Sequence, residues 1–256
     1  MSQNLFHPYT FSDENMDALN LDGHIMLPGL LTDSASGLLR EALDRIVAQV
    51  DAINTDDMET KRRPKKHAAE YDEYLQSLIA HPQILDLARR VLGPSIRWDH
   101  CVSLVRAAEK LLLDWHTHDY AQSNPALGFI RIFVYIEGFK PDDGGLKVVP
   151  GSHLFRERSL HFATDEELIE GWLHGKTHPQ TGEPLQIQYL DAPPGTVIVM
   201  WTHTLHGVTA KLPGTHTPHA VVYAYRNPGE PSEARWISEE FEKKSIPAGE
   251  ELLPLY

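Results

Sequence analysis

After Thr32-Asp33, the apolar residues Leu38, Leu39, Ala42, Leu43, Ile46, Val47 and Val50 recur at i, i+3 and i+4, the spacing of one buried helix face. A helix over 32–53 is predicted, ending before the polar stretch 54–66. A second helix is expected over 68–80 and a third over 84–92, opened by Pro82 and stopped by Gly93-Pro94. Ahead of them, Gly23-His24-Ile25-Met26-Leu27-Pro28 reads as a short strand. From residue 95 the period changes. Short β-type runs cover 96–105, 111–116, 129–137, 146–150, 185–190, 196–200 and 220–226. Asp142-Asp143-Gly144-Gly145, Pro193-Pro194-Gly195 and Leu212-Pro213-Gly214 separate some of them and are turn signals. This pattern predicts a mainly β protein, a sandwich or jelly-roll barrel braced by N-terminal helices. The expected organisation is one domain over 1–256. It has a helical bracing part (1–94), a jelly-roll core (95–236) and a C-terminal tail (237–256).

Composition narrows the function more than the fold. Lys plus Arg is 23 and Asp plus Glu is 36, a net charge of −13 over 256 residues, which argues against nucleic-acid binding. The basic run Lys61-Arg62-Arg63-Pro64-Lys65-Lys66 is short and reads as a solvated loop. Cys101 is the sole cysteine, so an internal disulfide and a thiolate-built zinc site are excluded, and a reducing, cytoplasmic compartment is expected. No apolar run approaches the roughly 20 residues of a membrane span, and the first residues lack a signal-peptide pattern. There is neither a Gly-rich phosphate loop nor a Gly-x-Ser-x-Gly elbow. The expected partner is a small molecule, with no nucleic acid and no membrane.

The chain carries 15 histidines, eleven of them from His100 onward. In Asp114-Trp115-His116-Thr117-His118-Asp119-Tyr120, strand alternation turns His116 and His118 to one face, with a carboxylate beside them. Thr202-His203-Thr204-Leu205-His206-Gly207-Val208 follows the run 196–200. Two ligands from one strand and a third from a distant one make a facial metal site with positions left for substrate and oxygen. His153 is expected to hydrogen-bond its own loop, and Cys101 to be a small buried hydrophobe. Trp115, Tyr120, Phe133 and Tyr135 are candidates for an apolar pocket wall.

Gly23-His24-Ile25-Met26-Leu27-Pro28-Gly29, Trp115-His116, the stretch 143–153 and His206-Gly207 occur in the order found in the phytanoyl-CoA dioxygenase-like family. The chain resembles that family over residues 13–236, most specifically in Gly144-Gly145-Leu146-Lys147-Val148-Val149-Pro150-Gly151-Ser152-His153. The resemblance implies a double-stranded β-helix, a cupin-like jelly roll, with iron(II) held by His116 and His206. It further implies O2 and 2-oxoglutarate as co-substrates and hydroxylation of a small molecule. Two departures stand out. The family's first motif is His-x-Asp, whereas the Asp position here is His118, with Asp119 one residue on. The resemblance favours Asp119 as the third ligand, turned inward by a bulge, with His118, favoured by strand alternation, as the alternative. The Arg that grips the far carboxylate of 2-oxoglutarate is absent from Thr215-His216-Thr217-Pro218-His219-Ala220-Val221. His219 or Arg131 is the expected substitute, Arg226 lying further along. Two alternatives remain: a three-histidine iron oxygenase that does not use 2-oxoglutarate, and a non-catalytic jelly-roll binding protein.

The apolar stripe of the helix over 32–53 yields the first test. Leu43→Ala should cost about 2–5 kcal/mol of stability in urea melts, as large-to-small core substitutions do. A variant as stable as the parent would mean that this face packs on nothing.

Overall fold

The computed structural model describes residues 4–53, 67–105, 113–118, 127–157, 159–212, 219–229, 237–243 and 250–253. Helix α1 (Asp13–Asp22) starts at Ser12, whose hydroxyl accepts from the Asn15 N–H while the Asn15 side chain accepts from the Ser12 N–H. This capping box satisfies two orphan donors, and α1 is an element the apolar periodicity did not predict. Gly23, at φ +85°, ends the helix and turns the chain into β1 (His24–Leu27). Helix α2 (Asp33–Ile53) occupies the predicted span. Leu39, Leu43 and Ile46 are buried on it, and the Val50 side chain lies outside the described residues.

The helix expected over 68–80 is two helices, α3 (Ala68–Tyr71) and α4 (Glu73–Leu78). Asp72 breaks it by adopting an extended conformation. Its carboxylate then caps α4 through the N–H groups of Tyr74 and Leu75 and pairs with Arg45 of α2. Short polar side chains favour such caps over helix interiors. Pro82 opens α5 (Pro82–Leu92) as its missing N–H permits, and Gly93 closes it.

Among the described residues, ten strands form two antiparallel five-stranded sheets rather than a closed barrel. The first has the order β1, β8 (Thr196–Trp201), β4 (Phe129–Tyr135), β10 (His219–Arg226), β2 (Arg97–Val105). The second runs β6 (His161–Phe162), β3 (Leu113–His116), β9 (His206–Val208), β5 (Leu146–Val148), β7 (Gln188–Tyr189). Alternation along the first sheet divides its faces. Ile130, Ile132, Val134, Val197, Val199, Val221, Tyr223 and Tyr225 join the helix-side core with Leu39 and Leu43. Phe133, Tyr135, Ile198, Met200 and Val222 turn the other way and meet Leu146, Val148 and Val208 of the second sheet. The outer face of the second sheet is covered by α6 (Asp165–Glu170) and the segment after it, through Leu168, Leu173 and Leu185. Beyond β10, α7 (Glu239–Glu242) sets Phe241 against Trp98 at 5.5 Å between ring centroids. No described helix is long and apolar enough to cross a membrane.

An ion-pair network ties α2 to the first sheet. Glu137 accepts from both His219 Nδ1 (3.1 Å) and Arg40, and His219 Nε2 reaches Asp44. Burial pushes the Glu137 carboxyl up, but the bonds from His219 and Arg40 outweigh it and bring it down to about 2. The same bond to Glu137 raises His219 against its own burial. Glu137 therefore stabilises above its unfolded value near 4.5 and loses this as pH falls toward 2. His219 stabilises below 6.5 and loses this as pH rises through its raised value. The stability difference between the parent and Glu137→Gln should peak between pH 4.5 and 6.5 and narrow on both sides. Urea melts across pH check this, and a difference independent of pH would overturn it.

Candidate metal centre

His116 and His206 face each other across antiparallel β3 and β9. Leu113 pairs with Val208 and His116 with His206, so two residues of β3, Asp114 and Trp115, stand opposite one of β9, Gly207, a bulge beside the site. Bulges of this kind re-aim a side chain. His118 lies two residues beyond His116. Thr117 between them is pinned by the Leu160 carbonyl to its N–H and by the Leu160 N–H to its hydroxyl. The His116 and His206 rings are 4.4 Å apart, with His118 at 4.8 Å from His116 and 5.1 Å from His206. Each of the three offers one ring nitrogen within 4.8 Å of the others.

Two backbone carbonyls orient this cluster. His116 Nδ1 donates to the Asp114 carbonyl and His206 Nδ1 to the Thr204 carbonyl, both at 2.8 Å. With the proton on Nδ1, each Nε2 keeps its lone pair for a ligand, the arrangement metal-binding histidines use. Burial is the first cause lowering all three rings. His116 falls to about 4 despite its bond to Asp114, with the nearby Arg131 charge adding to the shift. His118 and His206 are held well below the ordinary value, with Arg131 again a contributor. All three are neutral at pH 7, the state in which imidazole binds a metal.

The approach to His206 is fixed from outside its strand. Ser152 Oγ accepts from the Leu205 N–H (2.9 Å), and the Val149 N–H donates to the Leu205 carbonyl. The Thr204 hydroxyl donates to the Gly23 carbonyl (2.9 Å). Gly151 N–H, His153 Nε2 and His178 Nε2 bond the last carbonyls of α1, those of Asp22, Asn20 and Leu21. A Cβ at Gly23 would stand 2.6 Å from both His153 and Thr204, so only glycine fits. The stretch 149–153 is thus the clasp that joins α1 to the segment carrying His206.

Facing the cluster, the first sheet presents inward side chains in rows. Val102, Val222, Phe133 and Ile198 form an apolar row by register. The next row is His100, Ala224, Arg131 and Met200. His100 Nδ1 donates to Asp99 Oδ2 (2.5 Å), and Asp99 Oδ1 lies 3.9 Å from Arg226. His100, Asp99 and Arg226 are fully buried. Burial brings His100 down to about 4, with Arg131 contributing against the bond to Asp99.

Several candidates from the sequence sit elsewhere. Trp115 alternates away from His116 to the outer face of the second sheet, where its Nε1 donates to Asp165 and Lys147 lies 4.6 Å over the ring. It is not in the pocket wall. His219 is turned to α2 by its bonds to Glu137 and Asp44, on the face opposite Arg131. Phe133 and Tyr135 do face inward, stacked with centroids 6.2 Å apart. Asp119 and Tyr120 lie outside the described residues, as do the basic run at 61–66 and His216. Cys101 is buried, which pushes its thiol up to about 12, so it is no nucleophile at neutral pH. The Asp99–His100 pair was missed by sequence reasoning. Adjacent Asp and His on one strand were visible, but the register shift opposite Ala224 and Tyr225 was not.

The family model of phytanoyl-CoA dioxygenase (PhyH) matches residues 19–212. Among solved structures, EctD from S. alaskensis with 2-oxoglutarate and 5-hydroxyectoine is 20% identical, with a TM-score of 0.68 over 90% of this chain and 80% of that one. HygX from Streptomyces hygroscopicus, with nickel and 2-oxoglutarate bound, is 16% identical at a TM-score of 0.62, covering 84% and 86%. The non-heme alpha ketoglutarate dependent carbocyclase SnoK from nogalamycin biosynthesis is 18% identical at 0.66, covering 91% of each. At these identities the likeness is one of fold. No curated protein sequence matches the chain.

The buried imidazoles carry their own test. In the protein without metal, ring NMR should find His116, His118 and His206 neutral at pH 6. Because the unfolded chain protonates first, stability of that form should fall as pH drops from 6.5 toward 4. A midpoint near 6.5 for any of the three would contradict the buried cluster.

Proposed function

The chain belongs to the phytanoyl-CoA dioxygenase family, and we propose that His116, His118 and His206 hold the ferrous ion of an iron(II)- and 2-oxoglutarate-dependent dioxygenase acting on a small molecule. One observation carries the ligand assignment: three neutral ring nitrogens converge within 4.8 Å, two of them with the tautomer fixed by backbone carbonyls. Imidazole donors on two strands suit a ferrous site with exchangeable positions. When bound, the iron supplies activation of O2 coupled to oxidative decarboxylation of 2-oxoglutarate and oxidation of the substrate.

The chain's own residues do the rest. His118 takes the place that a carboxylate holds in the family's His-x-Asp motif. Three neutral ligands leave the metal's charge undiminished, and Arg131 adds another positive charge to the same space. A dianionic co-substrate offsets both. Arg131 takes the role of the Arg absent from 215–221, its planar guanidinium donating two parallel bonds to the far carboxylate. The apolar row with Phe133, and Tyr135 beyond it, forms the wall that keeps water from the reacting groups. The lone, buried Cys101 supports a reducing, cytoplasmic setting.

Anaerobic metal titration and calorimetry test this reading. The parent should bind one ferrous ion per chain, and His206→Ala or His118→Ala should weaken binding at least about tenfold. His203→Ala should retain the parent's stoichiometry. Asp119→Ala with a larger loss than His118→Ala would transfer the third ligand to Asp119. Arg131→Gln should lose 2-oxoglutarate affinity while keeping the metal. Iron binding without 2-oxoglutarate binding in the parent would favour the three-histidine oxygenase instead, and binding of neither would leave a jelly-roll binding protein.

A further inference from the structure

The outer face of the second sheet holds a buried charge behind the histidine cluster. Lys147, on β5, is 3% exposed. A buried ammonium is costly unless paired, and this one donates to Asp165, the first residue of α6. The same carboxylate accepts from Trp115 Nε1 on β3 at 2.6 Å and from the Tyr189 hydroxyl on β7 at 2.5 Å. Burial pushes the Asp165 carboxyl up, but the bonds from Lys147, Tyr189 and Trp115 outweigh it and hold it down. One carboxylate thus ties three of the five strands together.

Strand β9 lies between β3 and β5, so the backbones of Trp115 and Lys147 stand about 10 Å apart. The two side chains meet because residue 207, which faces outward between His206 and Val208, is glycine. The ammonium crosses it and lies 4.6 Å over the Trp115 ring. What this anchor holds is the bulge. The carbonyl that sets the tautomer of His116 belongs to the peptide between Asp114 and Trp115. Both residues oppose Gly207, so regular pairing with β9 lapses there, and β6 on the other side is only two residues long. The fully buried indole, bonded at its far end to Asp165, supplies the missing hold. His206 differs, because the Thr204 carbonyl that orients it is placed by the bonds of Thr204 and Ser152.

We propose that Asp165 is a positioning residue for the metal centre: through Trp115 it holds the peptide between Asp114 and Trp115, and with it the carbonyl that keeps the His116 proton on Nδ1. Nε2 of His116 is thereby left to the metal. This rests on the reading that the imidazole cluster binds ferrous iron. Asp165 acts from the opposite face of the sheet, without touching the ligands.

Ring-nitrogen NMR of the metal-free protein at neutral pH reads the tautomers, and anaerobic ferrous titration reads the affinity. In the parent, His116 and His206 should each show a single tautomer, protonated on Nδ1. Asp165→Ala should mix the tautomers of His116 alone and weaken ferrous binding about tenfold. Trp115→Phe, which deletes the indole N–H, should act in the same way, and the double variant should be no worse than either single one. Leu43→Ala, which loosens the helix-side core instead, should leave both readouts at their parent values. An unmixed His116 in a folded Asp165→Ala overturns the assignment. So does mixing at His206 as well, the mark of general loosening, and so do additive losses in the double variant. Should Asp165→Ala not fold, an unmixed His116 in Trp115→Phe overturns it alone. A parent that binds no ferrous ion removes the metal reading instead, and the tautomer of His116 still decides what Asp165 holds.

Discussion

The bond from His116 Nδ1 to the carbonyl of Asp114, and its counterpart from His206 to Thr204, is the constraint on which the centre depends. An imidazole offers a ligand atom only when its other nitrogen carries the proton, and a backbone carbonyl fixes that choice without adding a charge. Each carbonyl is in turn placed by the fold. The bulge in β3 sets Asp114 relative to His116, and the hydroxyls of Thr204 and Ser152 fix the chain before His206. Two sheets meeting face to face bring the donors together. The turns at their ends decide which way the donors point.

The space between the sheets is graded rather than uniform. Tyr135, Phe133 and Ile198 make one end apolar, while Arg131, His100, Asp99 and Arg226 make the other charged. Burying such groups is costly unless they bond one another. Here Asp99 serves both His100 and Arg226, while the surrounding burial keeps the imidazoles neutral. Positive charge is thereby concentrated on the side that faces the histidine cluster, and the apolar end is left to exclude water.

Much of this was legible in the sequence, for identifiable reasons. The stripe of Leu39, Leu43 and Ile46 has the helical period, and α2 runs as that period requires. His116 and His206 stood out because imidazoles at strand ends are a chemical rather than a packing signal. What stayed hidden turned on single residues. Asp72 divides a helix because a short carboxylate can cap from within an otherwise helical pattern. The three-residue β9 carries no period long enough to read. Trp115 and His219 were assigned to the site by proximity in sequence, yet each sits one position out of phase with the inward face and points away from it.

The clasp at 149–153 also bears on when the centre can form. Around it, Asn20 is bonded to His153, Leu21 to His178 and Gly23 to Thr204, across sequence separations of 133, 157 and 181 residues. Contacts so remote in the chain incur most of their loop-closure entropy before they return any stabilisation, and folds rich in them assemble slowly. During synthesis α1 leaves the ribosome long before the segment that orients His206, and the helix end must wait with its carbonyls in water. Convergence of the three imidazoles is therefore a late property of this fold, acquired when the first helix and the ninth strand are joined.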